Sequence, residues 1–244
     1  MKVVLLGATR GMGRAVAREL IERGHSVFLL GREIEELPRS AADLQVRSNR
    51  PVGFAACDLE DCSTFEPALD AADAALGGFD AVVVTAGMFA SQQQLEEDTD
   101  FVRRLTVVNY AHTVGFCEYA RKRLLARGGG HLVVFSSVAG DRGRKPVVIY
   151  GSSKAGVSAY LEGLDHKFRA AGLVTLCVKP GFVKTSMTAG LKPPPFAGEP
   201  EQVGKEVVRA MEHNKPMLYT PSMWRWVMLV IRNLPRFVMR KIGF

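Results

Sequence analysis

The sequence predicts an α/β fold: one doubly wound parallel sheet, covered by helices on both faces and folded as a single domain. Three observations carry that expectation. Short apolar runs without polar alternation recur along the chain, as strands buried on both faces require. Helical patterns separate these runs, and the first run leads directly into a glycine-rich turn. The chain has 244 residues, 47% hydrophobic and 23% charged, which suits a real core and excludes dominant disorder.

Taken in order, the first strand is predicted at 2–6, a Val/Leu run, and the helix after the glycine turn at 12–23. Strands follow at 26–30 and 52–57, then a helix at 61–75 and a strand at 80–85. A long helix is expected at 99–126, a strand at 131–136, a second long helix at 148–171 and a strand at 173–179. Pro200 opens a helix near 200–213, and a short strand falls at 217–220. The domain is therefore read as 1–220, with a separate tail at 221–244. Within it, 186–199 has little regularity and a proline-rich centre, Lys192 to Pro195, and is read as a substrate loop or as a passive spacer.

Lys and Arg outnumber Asp and Glu by 32 to 25, a net charge of +7, so an anionic partner is considered. Nucleic acid is set aside because no binding motif accompanies the charge. No stretch of about 18 apolar residues exists, so a membrane-spanning helix is not expected. The N-terminal apolar run is too short for a signal peptide, and a cytoplasmic location follows. Cys57, Cys62, Cys117 and Cys177 form no CxxC pair, and the five histidines lack ligand spacing, so no metal is expected.

The turn after the first strand reads Gly7-Ala8-Thr9-Arg10-Gly11-Met12-Gly13. Backbone N–H groups and a helix N-terminus can approach a pyrophosphate only where side-chain bulk is missing, and Gly7, Gly11 and Gly13 meet that need. The placement between strand and helix predicts a dinucleotide site of the Rossmann type, whereas the spacing is not that of an ATP-binding P-loop. The second strand ends Leu30-Gly31-Arg32, without the carboxylate that accepts the ribose 2′-OH of NAD. Arg32, with Arg10, suits the 2′-phosphate of NADPH, while Glu33 tempers that preference.

Ser137 ends a strand and, thirteen residues later, Tyr150-Gly151-Ser152-Ser153-Lys154 opens a helix. A spacing of four puts Tyr150 and Lys154 on one helical face. A free phenol titrates near 10, and an adjacent cation such as Lys154 or oxidised nicotinamide favours its phenolate.

With those residues in place, the chain resembles the short-chain dehydrogenase/reductases, classical type, over nearly its whole length. The glycine turn at 7–13, Asp58, Thr85-Ala86-Gly87, Asn109, Ser137, Tyr150, Lys154 and Pro180 to Thr185 fall in the family's order. One departure is Thr85-Ala86-Gly87, where the family commonly has Asn-Asn-Ala-Gly. The resemblance implies that Tyr150 is the general acid, that Ser137 holds the carbonyl oxygen, and that Lys154 lowers the phenol pKa and holds the nicotinamide ribose. It implies that Asn109 holds a relay water and that Asp58 accepts from the adenine amino group. It also implies that Thr185, with Val183, fixes the carboxamide. Thr9, Met12, Leu59, Ala86, Gly87, Pro180 and Gly181 complete the implied cofactor contacts. An NADPH-sensing protein without turnover is disfavoured by the presence of all four catalytic residues. Family members are commonly homodimers or homotetramers built on the two long helices.

The tail carries both tryptophans and, from 217 onward, Arg225, Arg232, Arg236, Arg240 and Lys241 with no acid. The arginines recur at intervals of 7, 4 and 4, a narrow helical sector, with Pro235 expected to kink the helix. A basic amphipathic C-terminal helix of this kind suits the inner membrane surface, or alternatively covers a subunit interface. Together with Ala139 to Arg144 and Pro180 to Met187, this tail resembles the decaprenylphosphoryl-2-keto-pentose reductase branch of the family. That branch implies a polyprenyl-phosphoryl keto-sugar substrate in cell-envelope synthesis and a partner flavin oxidase. The alternative is a soluble carbonyl or 3-oxoacyl reductase.

Overall fold

The computed structural model describes residues 1–190, 193–194 and 196–243, so the expected proline-rich loop centre at 192–195 lies partly outside the described residues. Seven strands form one sheet, all pairs parallel: β1 (Lys2–Leu6), β2 (Ser26–Gly31), β3 (Gly53–Ala56), β4 (Ala81–Val84), β5 (Gly130–Phe135), β6 (Leu173–Pro180) and β7 (Met217–Thr220). Their spatial order, β3-β2-β1-β4-β5-β6-β7, reverses direction between β1 and β4. A crevice opens at that switch point, beyond the carboxyl ends of the strands.

Alternation along β1 shows how the layers form. Val3 and Leu5 enter one core, with Val16 and Leu20 of α1 (Gly11–Glu22), Leu37 and Leu44 of α2 (Glu36–Ser48) and Val203 and Val207 of α8 (Pro200–Glu212). Val4 and Leu6 enter the other, with Leu69 of α3 (Phe65–Leu76), Phe116 of α6 (Thr113–Ala126) and Leu161 of α7 (Val148–Phe168). Both faces of the sheet are buried, which is why its strands read as unbroken apolar runs.

Three features differ from the sequence expectation. Two helices, α2 and α4 (Gln92–Glu97), were not expected. Pro38 sits in the first turn of α2, where its missing N–H leaves no bond unmade. The long helix at 99–126 is divided: α5 (Thr99–Thr106) passes through a π turn over Val107–His112 before α6 begins. The C-terminal helix is broken rather than kinked. α9 (Trp224–Asn233) stops, Leu234 and Pro235 are extended, and α10 (Arg236–Met239) starts afresh. Proline biases its predecessor toward extended geometry, so Arg225 and Arg232 do not share one helical stripe with Arg236 and Arg240.

The tail is also packed. Trp224, Met228 and Ile231 form a cluster with Val138, Tyr219, Phe182 and Phe196, joining α9 to the segment after β5 and to the loop at 186–199. Among the described residues no helix is long and apolar enough to cross a membrane.

Candidate active site

The glycine turn is shaped by contacts that exclude side chains. Gly7 has φ +96°, and a Cβ on Gly13 would stand 2.1 Å from the Gly7 carbonyl oxygen. Thr85, just past β4, donates to both the Leu6 and Gly7 carbonyls, at 3.0 and 2.9 Å. Thr85 supplies this brace where the segment departs from the family pattern, and of that segment only Ala86 and Gly87 are expected to contact the cofactor. Arg10 starts α1 without a side-chain cap, so the first N–H groups of that helix face the crevice as donors for an anion. Thr185 stands across the crevice, and a Cβ on Gly11 would lie 3.3 Å from its Cγ2.

Beside this turn is a cavity lined by Thr9, Arg32, Glu33, Asp58, Ala86 and Gly87 among others, which brings the expected adenosine-side residues together. Arg10 pairs with Glu33 at 3.1 Å and Arg32 with Glu60 at 3.1 Å. Glu60 is also gripped by Arg104 at 2.7 and 2.8 Å, and that guanidinium, with Arg32 further off, holds its carboxyl below the ordinary range. Arg104 was not foreseen, because it sits on α5, far along the chain from the glycine turn. The Leu59 carbonyl accepts from His112 Nδ1 at 2.6 Å, which ties the end of β3 to the π turn.

The π turn places Asn109, almost fully buried, under the segment after β4. Its Oδ1 accepts from Met88 N at 2.7 Å and its Nδ2 donates to Met88 O at 2.8 Å. The side chain is thus committed to backbone, fixing Gly87 at the crevice floor. A Cβ on Gly87 would come 3.1 Å from Asn109 Oδ1 and 3.4 Å from Lys154 Nζ, so only a bare backbone leaves that floor open.

Tyr150 and Lys154 lie on the first turns of α7, and Ser137 follows β5. Ser137 Oγ accepts from Ala139 N at 3.1 Å and donates to the Pro180 carbonyl at 3.5 Å, a long, weak bond that a substrate oxygen can replace. The Tyr150 ring packs edge-on against Phe89, with centroids 5.1 Å apart. Lys154 is 6% exposed; its Nζ donates to Phe135 O at 2.8 Å and lies 5.9 Å from the Tyr150 ring centroid.

The protonation balance differs from the sequence expectation. Burial pushes the Tyr150 phenol up to about 12, and the hydrogen bond to Ser137 offsets this only in part. Burial also lowers Lys154 to about 8. The ammonium is spent on a main-chain carbonyl rather than on the phenol, so desolvation governs both groups. Tyr150 is therefore held as a neutral acid at pH 7, the form needed to give a proton away. Cys57 and Cys177 are driven upward by burial and are not reactive thiols.

Pro180 ends β6, and Gly181 N donates to Thr220 O at 2.9 Å. A Cβ on Gly181 would meet the Trp224 indole at 2.0 Å, so the tail seats directly on the expected nicotinamide segment. Val183 bridges to Gly198, with Gly198 N on Phe182 O at 2.8 Å and Lys184 N on Gly198 O at 2.9 Å. These bonds pinch the base of the 186–199 loop. Beneath it, Asp141 holds Lys179 at 2.6 Å and Tyr219 Oη at 2.5 Å, a network that also reaches Arg232 of α9. Among the described residues no group of His, Cys, Asp and Glu could hold a metal ion.

The cradle of Gly7, Gly13 and Gly87, the uncapped helix end and the switch-point crevice fit a dinucleotide. A serine, a neutral tyrosine and a buried lysine stand together at its inner end. Fold and site together define a nicotinamide-nucleotide-dependent oxidoreductase acting on carbonyl or alcohol groups.

Residues 1–195 match the family described as short chain dehydrogenase. An uncharacterized oxidoreductase of Mycobacterium tuberculosis is 31% identical over 98% of this chain and 96% of its own length. One of Streptomyces coelicolor is 32% identical over 98% and 95%. An actinorhodin polyketide ketoreductase variant solved with NADPH superposes with a TM-score of 0.81 at 21% identity, covering 89% of this chain and 94% of that one. The chain belongs to the short-chain dehydrogenases.

Proposed function

We propose that this protein is an NADPH-dependent reductase that converts a ketone to a secondary alcohol. The observation that carries the reading is the Ser137–Tyr150 pair, with Tyr150 held protonated above the buried Lys154. Gly7, Gly11, Gly13 and the first turn of α1 would hold the pyrophosphate. Asp58 would hold the adenine, and Lys154, Val183 and Thr185 the nicotinamide riboside. The bound nicotinamide supplies the hydride. Ser137 Oγ donates to the substrate carbonyl oxygen and steadies its developing charge. The Tyr150 hydroxyl transfers its proton to that oxygen. Lys154 keeps a positive charge near the phenol at pH 7, and Asn109, bonded to Met88, holds Gly87 at the crevice floor. Any water in the relay would meet Asn109 through its main chain, since its side chain is bonded to Met88.

NADPH is favoured over NADH because Arg10 and Arg32 flank the adenosine cavity at the end of β2. The structurally similar ketoreductase solved with NADPH supports the same choice. A broad carbonyl or 3-oxoacyl reductase is the reading the comparisons support better. The narrower one, a polyprenyl-phosphoryl keto-sugar supplied by a flavin oxidase, rests on the tail, where α9 leaves Trp226, Leu229 and Val230 exposed beside Arg225. That apolar face also supports peripheral contact with a membrane. Assembly into a dimer or tetramer through α6 and α7 is supported by Tyr110 and Tyr119, both about two-fifths exposed.

The test is cofactor oxidation with NADPH or NADH against soluble ketones and a lipid-linked keto-sugar. Tyr150→Phe should lower kcat by about a hundredfold or more, the usual contribution of a positioned acid, with NADPH affinity nearly unchanged. Full turnover in that variant would overturn the assignment.

A further inference from the structure

A second cavity of about 510 Å³ opens between the segment after β5 and the C-terminal residues. Its walls carry Arg142, Arg144 and Lys145 on one side and Arg236 and Arg240 on the other, and no carboxylate among the described residues lines it. Val148 and Ser152 form its floor. They are four residues apart on one face of α7, while Tyr150, two from each, points the other way. The cavity is therefore separate from the reaction site.

The treatment of charge here differs from that at most of the ion-paired arginines of the surface. Elsewhere arginines such as Arg18, Arg23, Arg47, Arg104 and Arg123 end on carboxylates. Here Arg142 donates to the Leu234 carbonyl at 2.8 Å and Lys145 to the Arg240 carbonyl at 2.6 Å. Those bonds brace the two walls against each other and neutralise nothing. Among the described residues no carboxylate pairs with Arg142, Lys145, Arg236 or Arg240. Converging like charges repel, and the fold spends main-chain hydrogen bonds to keep them together.

We propose that this cavity is a binding site for a phosphate-bearing anion. A phosphate dianion offers three acceptor oxygens, which suit several guanidinium forks converging from different directions. The remaining lining, Val148, Met239 and Ile242, is apolar and suits the organic part of a phosphate ester. A bounded recess between two basic walls with an apolar lining fits a single headgroup better than the continuous track a nucleic-acid backbone needs. The phosphate can belong to a soluble phosphomonoester or to a lipid headgroup. The proposal does not depend on which ketone is reduced.

The experiment uses the full chain saturated with NADP⁺, so that the dinucleotide crevice is not available to the probe. Binding of glycerol phosphate is measured by calorimetry, and binding to vesicles of phosphatidylcholine with or without phosphatidic acid by flotation. The variant is Arg236→Gln with Arg240→Gln, two exposed side chains that donate no hydrogen bond within the described residues; Lys145→Gln, from the opposite wall, is the second. Either variant should weaken binding about tenfold or more at low salt, as expected for the loss of charge-assisted bonds. Glycerol phosphate binding lost in the variants identifies a soluble ester. Binding only to phosphatidic acid vesicles, lost likewise, identifies a lipid headgroup. No binding of either probe, or binding that all variants retain, overturns the proposal. NADPH turnover of a soluble ketone should be unaltered, so this failure and failure of the reductase reading are separately visible.

Discussion

Glu33→Gln should sharpen the choice of NADPH over NADH, and the structure allows the size to be worked out. Glu33 pairs with Arg10 at 3.1 Å, with side chains 33% and 59% exposed. An exposed pair of this kind contributes about 0.2–1 kcal/mol, which a 2′-phosphate must displace to reach Arg10. The Glu33 carboxylate also repels a phosphate of about −1.5 to −2 charge; at roughly 6 Å and water-like screening this amounts to about 1 kcal/mol. Together these give about 1–2 kcal/mol, or a 5- to 30-fold gain in NADPH affinity. NADH has no such phosphate and should gain nothing. Fluorescence titration with both cofactors at low and high salt reads the ratio directly, and the gain should shrink as salt screens the charges. Arg32 is the internal control. Its partner Glu60 keeps two bonds from Arg104, so Arg32→Ala should weaken NADPH alone. A ratio that stays constant or falls in Glu33→Gln would refute the reasoning and point to Glu33 as a ribose acceptor for NADH.

Three further outcomes are expected. Lys154 is lowered from 10.5 to about 8, so the folded state sheds its proton at lower pH than the unfolded chain does. The cost of burying the ammonium is present below pH 8 and lifts as pH rises toward 10.5. Relative to Lys154→Met, wild type should therefore gain about 3 kcal/mol across that window in urea unfolding, and a gap flat with pH would contradict it. Gly13→Ala should weaken NADPH binding at least about tenfold, because its Cβ must displace the Gly7 carbonyl, whereas Gly143→Ala meets no atom within 4 Å and should bind normally. Asp141→Asn leaves Lys179, 10% exposed, without its counter-charge and should cost about 3–5 kcal/mol, partly recovered when Lys179→Met is added; additivity in calorimetry would exclude the coupling.

Much of the fold was legible because a parallel sheet covered on both faces leaves apolar runs that no other arrangement needs. The candidate site was legible for a similar reason: the glycine turn, Ser137, Tyr150 and Lys154 each belong to a local geometry that the sequence displays. What escaped depends on partners distant in sequence. α2 was hidden by Pro38, which looks like a breaker unless the helix is known to start two residues earlier. Thr85 and Arg104 act across the sheet and crevice, on Leu6, Gly7 and Glu60, and nothing near them in the chain signals it. Spacing shows that Lys154 is near the phenol but not that Phe135 O claims its ammonium.

The π turn at Val107–His112 sets a limit on how this chain can change in length. Leu105 before it, Val108 within it and Phe116, Cys117 and Leu124 after it all face the interior because the turn accommodates one extra residue. Closing the turn into a regular helix with the same residues would rotate everything downstream by about 100° and carry Phe116 and Cys117 out of the core, whereas removing one residue at the same time would leave their facing unchanged. Between Leu105 and Phe116 the residue count and the helix form are tied to each other, because the position of Asn109 and the register of the core are settled by the same irregularity.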